Sequence, residues 1–192
     1  MNRYALAVRR WWTVPLAYVL LVAVGGTMGD GVLPVPTLTG GMAGARVAYF
    51  TPVLVVIAVM YCLDRRLPSA ESTAVVPVRR LDQAAVVLTA VLAHGAGLLV
   101  GMDVARNTIL LLALGLVAWR LSNEATASAV GLLFLIANVM LGRVHDGTGH
   151  ASHTWWALAL YPGRSVGAWL VAAVLFAVAL KLSAAGPRGT ER

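Results

Sequence analysis

An all-α integral membrane protein with six transmembrane helices is the fold class this sequence predicts, and three observations carry it. Apolar residues make up 59% of the 192 and charged ones only 12%, with a mean hydropathy of +0.80, far from the usage of a soluble domain of this size. Apolar runs close to the length a helix needs to cross a bilayer recur along the chain, separated by short polar or glycine- and proline-rich stretches. The basic residues sit at the ends of those runs, in alternate loops, as they do where charge holds a loop on the cytosolic side.

Each element follows in order. MNRYALAVRRWW, Met1 to Trp12, sets Tyr4, Leu6, Ala7 and Trp11 at near-helical spacing against Arg3, Arg9 and Arg10. That pattern fits an interfacial helix over residues 1–12, and equally a basic anchor ahead of a span. The first span runs from Val14 to about Met28, with Pro15 tolerated in its first turn. It is expected to be retained, because no small-residue cleavage site follows it. DGVLPVPTLTGGMAG, without Lys or Arg, is an external loop. Val47 to Leu63 is the second span, interrupted by Pro52. The third runs from Ala84 to about Met102, and the fourth from about Val104 to Leu121, with Arg106 and Asn107 at its outer end. LSNEA joins it in a tight antiparallel hairpin to the fifth, Thr126 to Leu141. In the external segment 143–163, TWWALALYP is too short to cross and reads as a re-entrant or interfacial helix closed by Pro162 and Gly163. The sixth span is Val166 to Leu182, and a polar tail follows.

With both ends in the cytosol, Arg3, Arg9, Arg10, Arg65, Arg66, Arg79, Arg80, Arg120, Lys181, Arg188 and Arg192 lie inside and only Arg46, Arg106, Arg143 and Arg164 outside. This is the positive-inside distribution. The whole chain is one transmembrane domain in a bacterial plasma membrane. A single Lys among fifteen basic residues, with abundant Ala, Val and Gly, is the usage of a GC-rich genome such as an actinobacterium's.

The longest charged interruption is DRRLPSAESTAVVPVRRLDQ, the cytosolic loop 64–83. Pro68 and Pro77 bracket a stretch able to hold a short helix, with Ser69 to Ser72 offering groups for its start. A membrane protein with no G-x-x-x-x-G-K-[ST] motif does not bind ATP in the P-loop manner. One with a structured cytosolic loop takes its instructions from a partner through that loop.

Chemistry inside the membrane is sparse. Asp30, Asp64, Glu71, Asp82, Asp103, Glu124, Asp146 and Glu191 all fall in loops or at span ends, which disfavours an ion-driven carrier. His94 lies within the third span. It is a possible substrate contact or proton relay, weighed against a neutral imidazole packed on a neighbouring helix where Gly95 and Gly97 allow close approach. His145, His150 and His153 are weak candidates for a metal site, lacking a defined fourth ligand. GRSVG resembles a nucleophile turn, but no His follows Ser165. Cys62 alone supports neither an intramolecular disulfide nor a multi-cysteine metal site. The +7 charge is spread over span ends rather than clustered on a soluble face, so nucleic acid is not expected as a partner.

ESTAVVPVRRLDQAAVVL, RNTILLLALGLVAWRL and TWWALALYP, within this six-span layout, resemble the permease subunit of type-2 ABC exporters of the small actinobacterial kind. In that family a cytosolic stretch with an acidic helix, an apolar pair and Pro-x-Arg-Arg precedes the third span. The resemblance implies a cytosolic coupling helix between spans two and three, whose Ala70, Glu71, Ala74, Val75, Arg79 and Arg80 meet a separate ATPase dimer. It implies a pathway between this subunit and a second permease subunit, the same or different, among membrane lipids. It implies no catalytic residue and no cofactor in this chain, with ATP and Mg held by the partner. A small membrane anchor or immunity-type protein is the alternative, and a His-using membrane enzyme a further one.

Overall fold

A computed structural model describes residues 9–36, 42–65, 78–145 and 151–184, and consists of six helices with two small hairpins at one end. Five segments are long and apolar enough to cross a membrane: 47–64, 79–100, 102–121, 124–141 and 166–183. Helix α1, Thr13–Met28, is equally apolar but has only 16 residues. At 1.5 Å per residue it spans about 24 Å, less than the roughly 30 Å of a hydrocarbon core.

Helix α1 buries Val14, Ala17, Tyr18 and Leu21, the i, i+3, i+4, i+7 stripe of a helix with one face on a core. Leu16, Val19 and Leu20 point away from it. The expected external loop is a two-stranded antiparallel ladder, β1 Val32–Pro36 with β2 Met42–Arg46, in the register Val32 to Arg46. Pro34 and Pro36 are tolerated there because a two-stranded ribbon is all edge. Pro52, expected to interrupt the second span, instead starts α2, Pro52–Asp64. Its missing N–H would have had no helical partner in the first turn anyway. A turn of 3-10 helix, Val47–Tyr49, precedes it.

Helix α3, Val78–Val100, begins six residues before the expected Ala84, so Arg79 and Arg80 are helical rather than part of a loop. Val86, Ala90, Ala93 and Ala96 keep one face of it buried. Gly101 alone joins α3 to α4, Met102–Leu121, with φ +146° and ψ 139°, a backbone region open essentially only to glycine. Helix α4 is the centre of the molecule: every residue from Val104 to Ala113 is buried, and it packs against α2, α3, α5 and α6. Helix α5, Glu124–Leu141, starts where Asn123 accepts a hydrogen bond from Thr126 N at 2.9 Å, a standard N-cap. Helix α6 is Val166–Ala184.

Two expectations are corrected. TWWALALYP contains no helix of eight residues, only one 3-10 turn, Leu158–Leu160, after the ladder β3 Arg143–His145 with β4 Ala151–His153. The carbonyls of Ala159 and Pro162 accept instead from side chains of α4, while those of Thr154, Trp156 and Ala157 accept from nearby backbone N–H groups. The helix expected over residues 1–12 does not run through residues 9–12, which form a bend and turn. Arg10 has φ +53°, and Arg9 is 2% exposed instead of facing lipid headgroups. Residues 1–8, and with them Arg3 and Tyr4, lie outside the described residues.

Candidate functional site

Two polar assemblies, one at each end of the bundle, hold groups that an apolar core does not bury without reason. The first sits under the segment between β4 and α6. Arg106 and Asn107, in the second turn of α4, and Asn138, in the last turns of α5, are all fully buried. Arg106 donates from Nη1 to Pro162 O at 3.0 Å and from Nη2 to Ala159 O at 3.3 Å. Its Nε and Nη2 also donate to Asn107 Oδ1, at 3.3 and 3.1 Å. Asn107 Nδ2 donates to the same Ala159 O at 3.0 Å, and Asn138 Oδ1 accepts from Ala159 N at 3.3 Å. The side-chain amide of Asn138 is completed by Phe134 O at 2.8 Å.

This knot clasps both backbone groups of Ala159 and so fixes residues 157–162 on the helix ends. Gly142 makes the fit possible: a Cβ there would lie 2.5 Å from the Ala157 Cβ and 3.0 Å from Leu160 Cδ1. Thr154 anchors the start of the segment, donating from N to Gly142 O at 3.0 Å. Arg143 joins the two hairpins by donating from Nη2 to Gly44 O at 2.6 Å. Among the described residues no carboxylate lies within 4 Å of the Arg106 guanidinium. Asp103, one turn earlier on α4, is the carboxylate that acts on it. Guanidinium and amide groups offer hydrogen bonds rather than a transferable proton, so the knot positions main chain.

The second assembly surrounds the exit of the segment 66–77. Arg79, in the first turn of α3, donates from Nε and Nη2 to Ser183 O, at 3.1 and 2.8 Å. Four residues on, Gln83 Nε2 donates to Leu180 O at 3.3 Å. The last carbonyls of a helix lack intrahelical partners and carry its negative dipole end, so an arginine is a fitting cap for α6. Asp82 pairs with Arg9 at 2.8 Å, and Arg9 Nη1 reaches Leu63 O at 3.5 Å at the end of α2. Arg10 donates to the Tyr61 hydroxyl at 3.1 Å, and Arg65 lies 4.6 Å over the Tyr61 ring. Arg80 is exposed. Arg9, Arg10, Arg65, Arg79, Arg80, Arg120 and Lys181 thus share one end of the bundle, and Arg46, Arg106, Arg143 and Arg164 the other.

The remaining expected residues are not gathered into one site. Ala70, Glu71, Ala74, Val75 and His150 lie outside the described residues. His94 is on the outer face of α3, stacked on Trp169 of α6 with ring centroids 5.3 Å apart. Its Nδ1 donates to Ala90 O at 2.9 Å. Of the neighbouring glycines, Gly97 meets α4 at Ala105 and Gly95 faces open space. His145 and His153 lie at opposite ends of the β3–β4 ladder, His145 across from Ala151 and His153 across from Arg143. The knot went unread in the sequence. Its one available signal is an Arg-Asn pair, with a lone Asn on the next span, inside runs otherwise apolar.

No family model, no curated protein and no solved structure matches this chain.

Proposed function

We propose that this chain is the membrane-spanning, non-catalytic subunit of an exporter driven by a separate ATPase that docks on residues 66–77. The reading rests above all on where that segment re-enters the bundle. Within its first turn and a half, α3 is bonded to the last carbonyls of α6 through Arg79 and Gln83 and to Arg9 ahead of α1 through Asp82. A push on the segment is therefore delivered to three helices rather than absorbed by a loose connector. Two such subunits, the same or different, form the pathway between them in a bacterial plasma membrane, with both termini and the basic end in the cytosol. Ala70, Glu71, Ala74 and Val75 contact the ATPase. Arg79 and Arg80, both exposed, stand beside that contact, and Arg79 also holds α6.

Co-purification tests this reading. Candidate ATPases are expressed with the full chain, and the chain is captured from detergent. Retention of one ATPase, abolished by Glu71→Arg or Ala74→Asp, is expected, since interface energy concentrates in few central contacts. Retention of none, or retention unchanged in both variants, would make the segment a solvated connector and the chain a small membrane anchor.

A further inference from the structure

At the end of the bundle opposite the basic one, a crevice of about 210 Å³ opens where the last turn of α1, the start of the 3-10 turn and the α3–α4 junction meet. Asp30 and Asp103 line it with Arg46, beside the glycines of the α1 end and Leu99 of α3. The three charged groups make no ion pair with one another, nor with any other described residue, within 4 Å. Asp30, just beyond the negative C-terminal end of α1, and Asp103 bring two negative charges that attract a cation, while a guanidinium at the same crevice suits a phosphate. Gly26, on the α1 wall, has no neighbour within 4 Å of where its Cβ would be, so that wall is open to a small group. The rim is not polar throughout: Leu99 is 75% exposed and Leu98 beside it 80%, which continues the crevice into the apolar outer face of α3.

We infer that this crevice binds a zwitterion carrying a primary ammonium and a phosphate, the ammonium donating to Asp30 and Asp103 and the phosphate accepting from Arg46. Such a group comes either as the headgroup of an ethanolamine phospholipid, whose chains would follow Leu98 and Leu99, or as free phosphoethanolamine. A choline headgroup has the same charges but no N–H to donate, so the site discriminates between the two lipids by hydrogen bonding rather than by charge.

The test uses the full chain reconstituted in vesicles of equal phosphatidylethanolamine and phosphatidylcholine, extracted and weighed intact by native mass spectrometry. The ethanolamine lipid should be retained about tenfold over the choline lipid. Asp30→Asn with Asp103→Asn should bring the two to parity in protein that keeps the helix content of the unmodified chain in detergent. Arg46→Gln, on the hairpin and outside the helix core, should separately weaken phosphoethanolamine binding, read as the rise in melting temperature that millimolar phosphoethanolamine gives the unmodified chain. Displacement of the retained lipid by phosphoethanolamine would assign the lipid as the source. A melting shift without lipid enrichment would assign the free zwitterion. Equal retention of both lipids with no melting shift, or enrichment that survives the double substitution in folded protein, overturns the inference.

Discussion

Arg106 shows how a single buried residue holds a surface segment. Its donors meet Pro162 O, Ala159 O and Asn107 Oδ1, and a lost partner for a buried group costs more than an ordinary hydrogen bond adds. Arg106→Ala should therefore destabilise the protein by about 1 to 3 kcal/mol, the cost of leaving buried acceptors without a donor. Arg106→Lys should recover only part of this, because a lysine cannot span three separated acceptors with a planar fork. Thermal unfolding in detergent, with limited chymotrypsin cleavage after Trp155 and Trp156, reads both effects; cleavage should rise in the order wild type, Arg106→Lys, Arg106→Ala. His94 is the contrasting case. It stacks on Trp169 at the exposed seam of α3 and α6, so His94→Gln, which keeps a donor and an acceptor but does not titrate, should cost under about 1 kcal/mol. Its melting temperature in detergent should stay within a few degrees of wild type. The sequence reveals His94 readily because histidine is conspicuous in an apolar run. It conceals the role of Arg106, which at a span end is indistinguishable from an ordinary flanking charge until the partner carbonyls, more than fifty residues away in the chain, are brought against it.

At the scale of elements, the helices were legible because apolar runs set them and prolines and glycines bound them. The exceptions have local causes. Pro52 opens α2 instead of interrupting it, and α3 reaches back to Val78 because Arg79, Asp82 and Gln83 each find a tertiary partner there. The hairpins were not legible: β1 carries two prolines and β3 and β4 have three residues each, too short for an alternating pattern to emerge. Gly101 tests the tight α3–α4 junction. Gly101→Ala places a Cβ on a backbone at φ +146° and 2.5 Å from Asp103 Oδ1, so it should cost about 1 to 3 kcal/mol. Gly26→Ala, with nothing within 4 Å of the new atom, should be near neutral or slightly stabilising in a helix interior, and the difference between the two melting temperatures isolates the junction.

For the whole molecule, charge is segregated by end. Helices α1, α3 and α5 start, and α2, α4 and α6 finish, at the end that carries Arg9, Arg10, Arg65, Arg79, Arg80, Arg120 and Lys181. That alternation was readable from arginine placement alone, since the positive-inside bias is a property of sequence. With Cys62 buried, introduced cysteines can be labelled selectively: a thiol reagent confined to the cytosolic side should react at Ser69→Cys and Thr190→Cys and not at Thr37→Cys or Gly147→Cys. Reaction at Gly147→Cys would invert or break the proposed arrangement. The central proposal is that an ATPase acts through residues 66–77 on a bundle gripped by Arg79. ATP turnover of the co-purified complex in nanodiscs tests it most directly. Turnover should differ several-fold from that of the ATPase alone, return to the lone-enzyme value in Glu71→Arg with loss of the complex, and shift toward that value in Arg79→Gln with the complex intact. Turnover identical to the lone ATPase in the unmodified complex, or identical across all three chains, would contradict it.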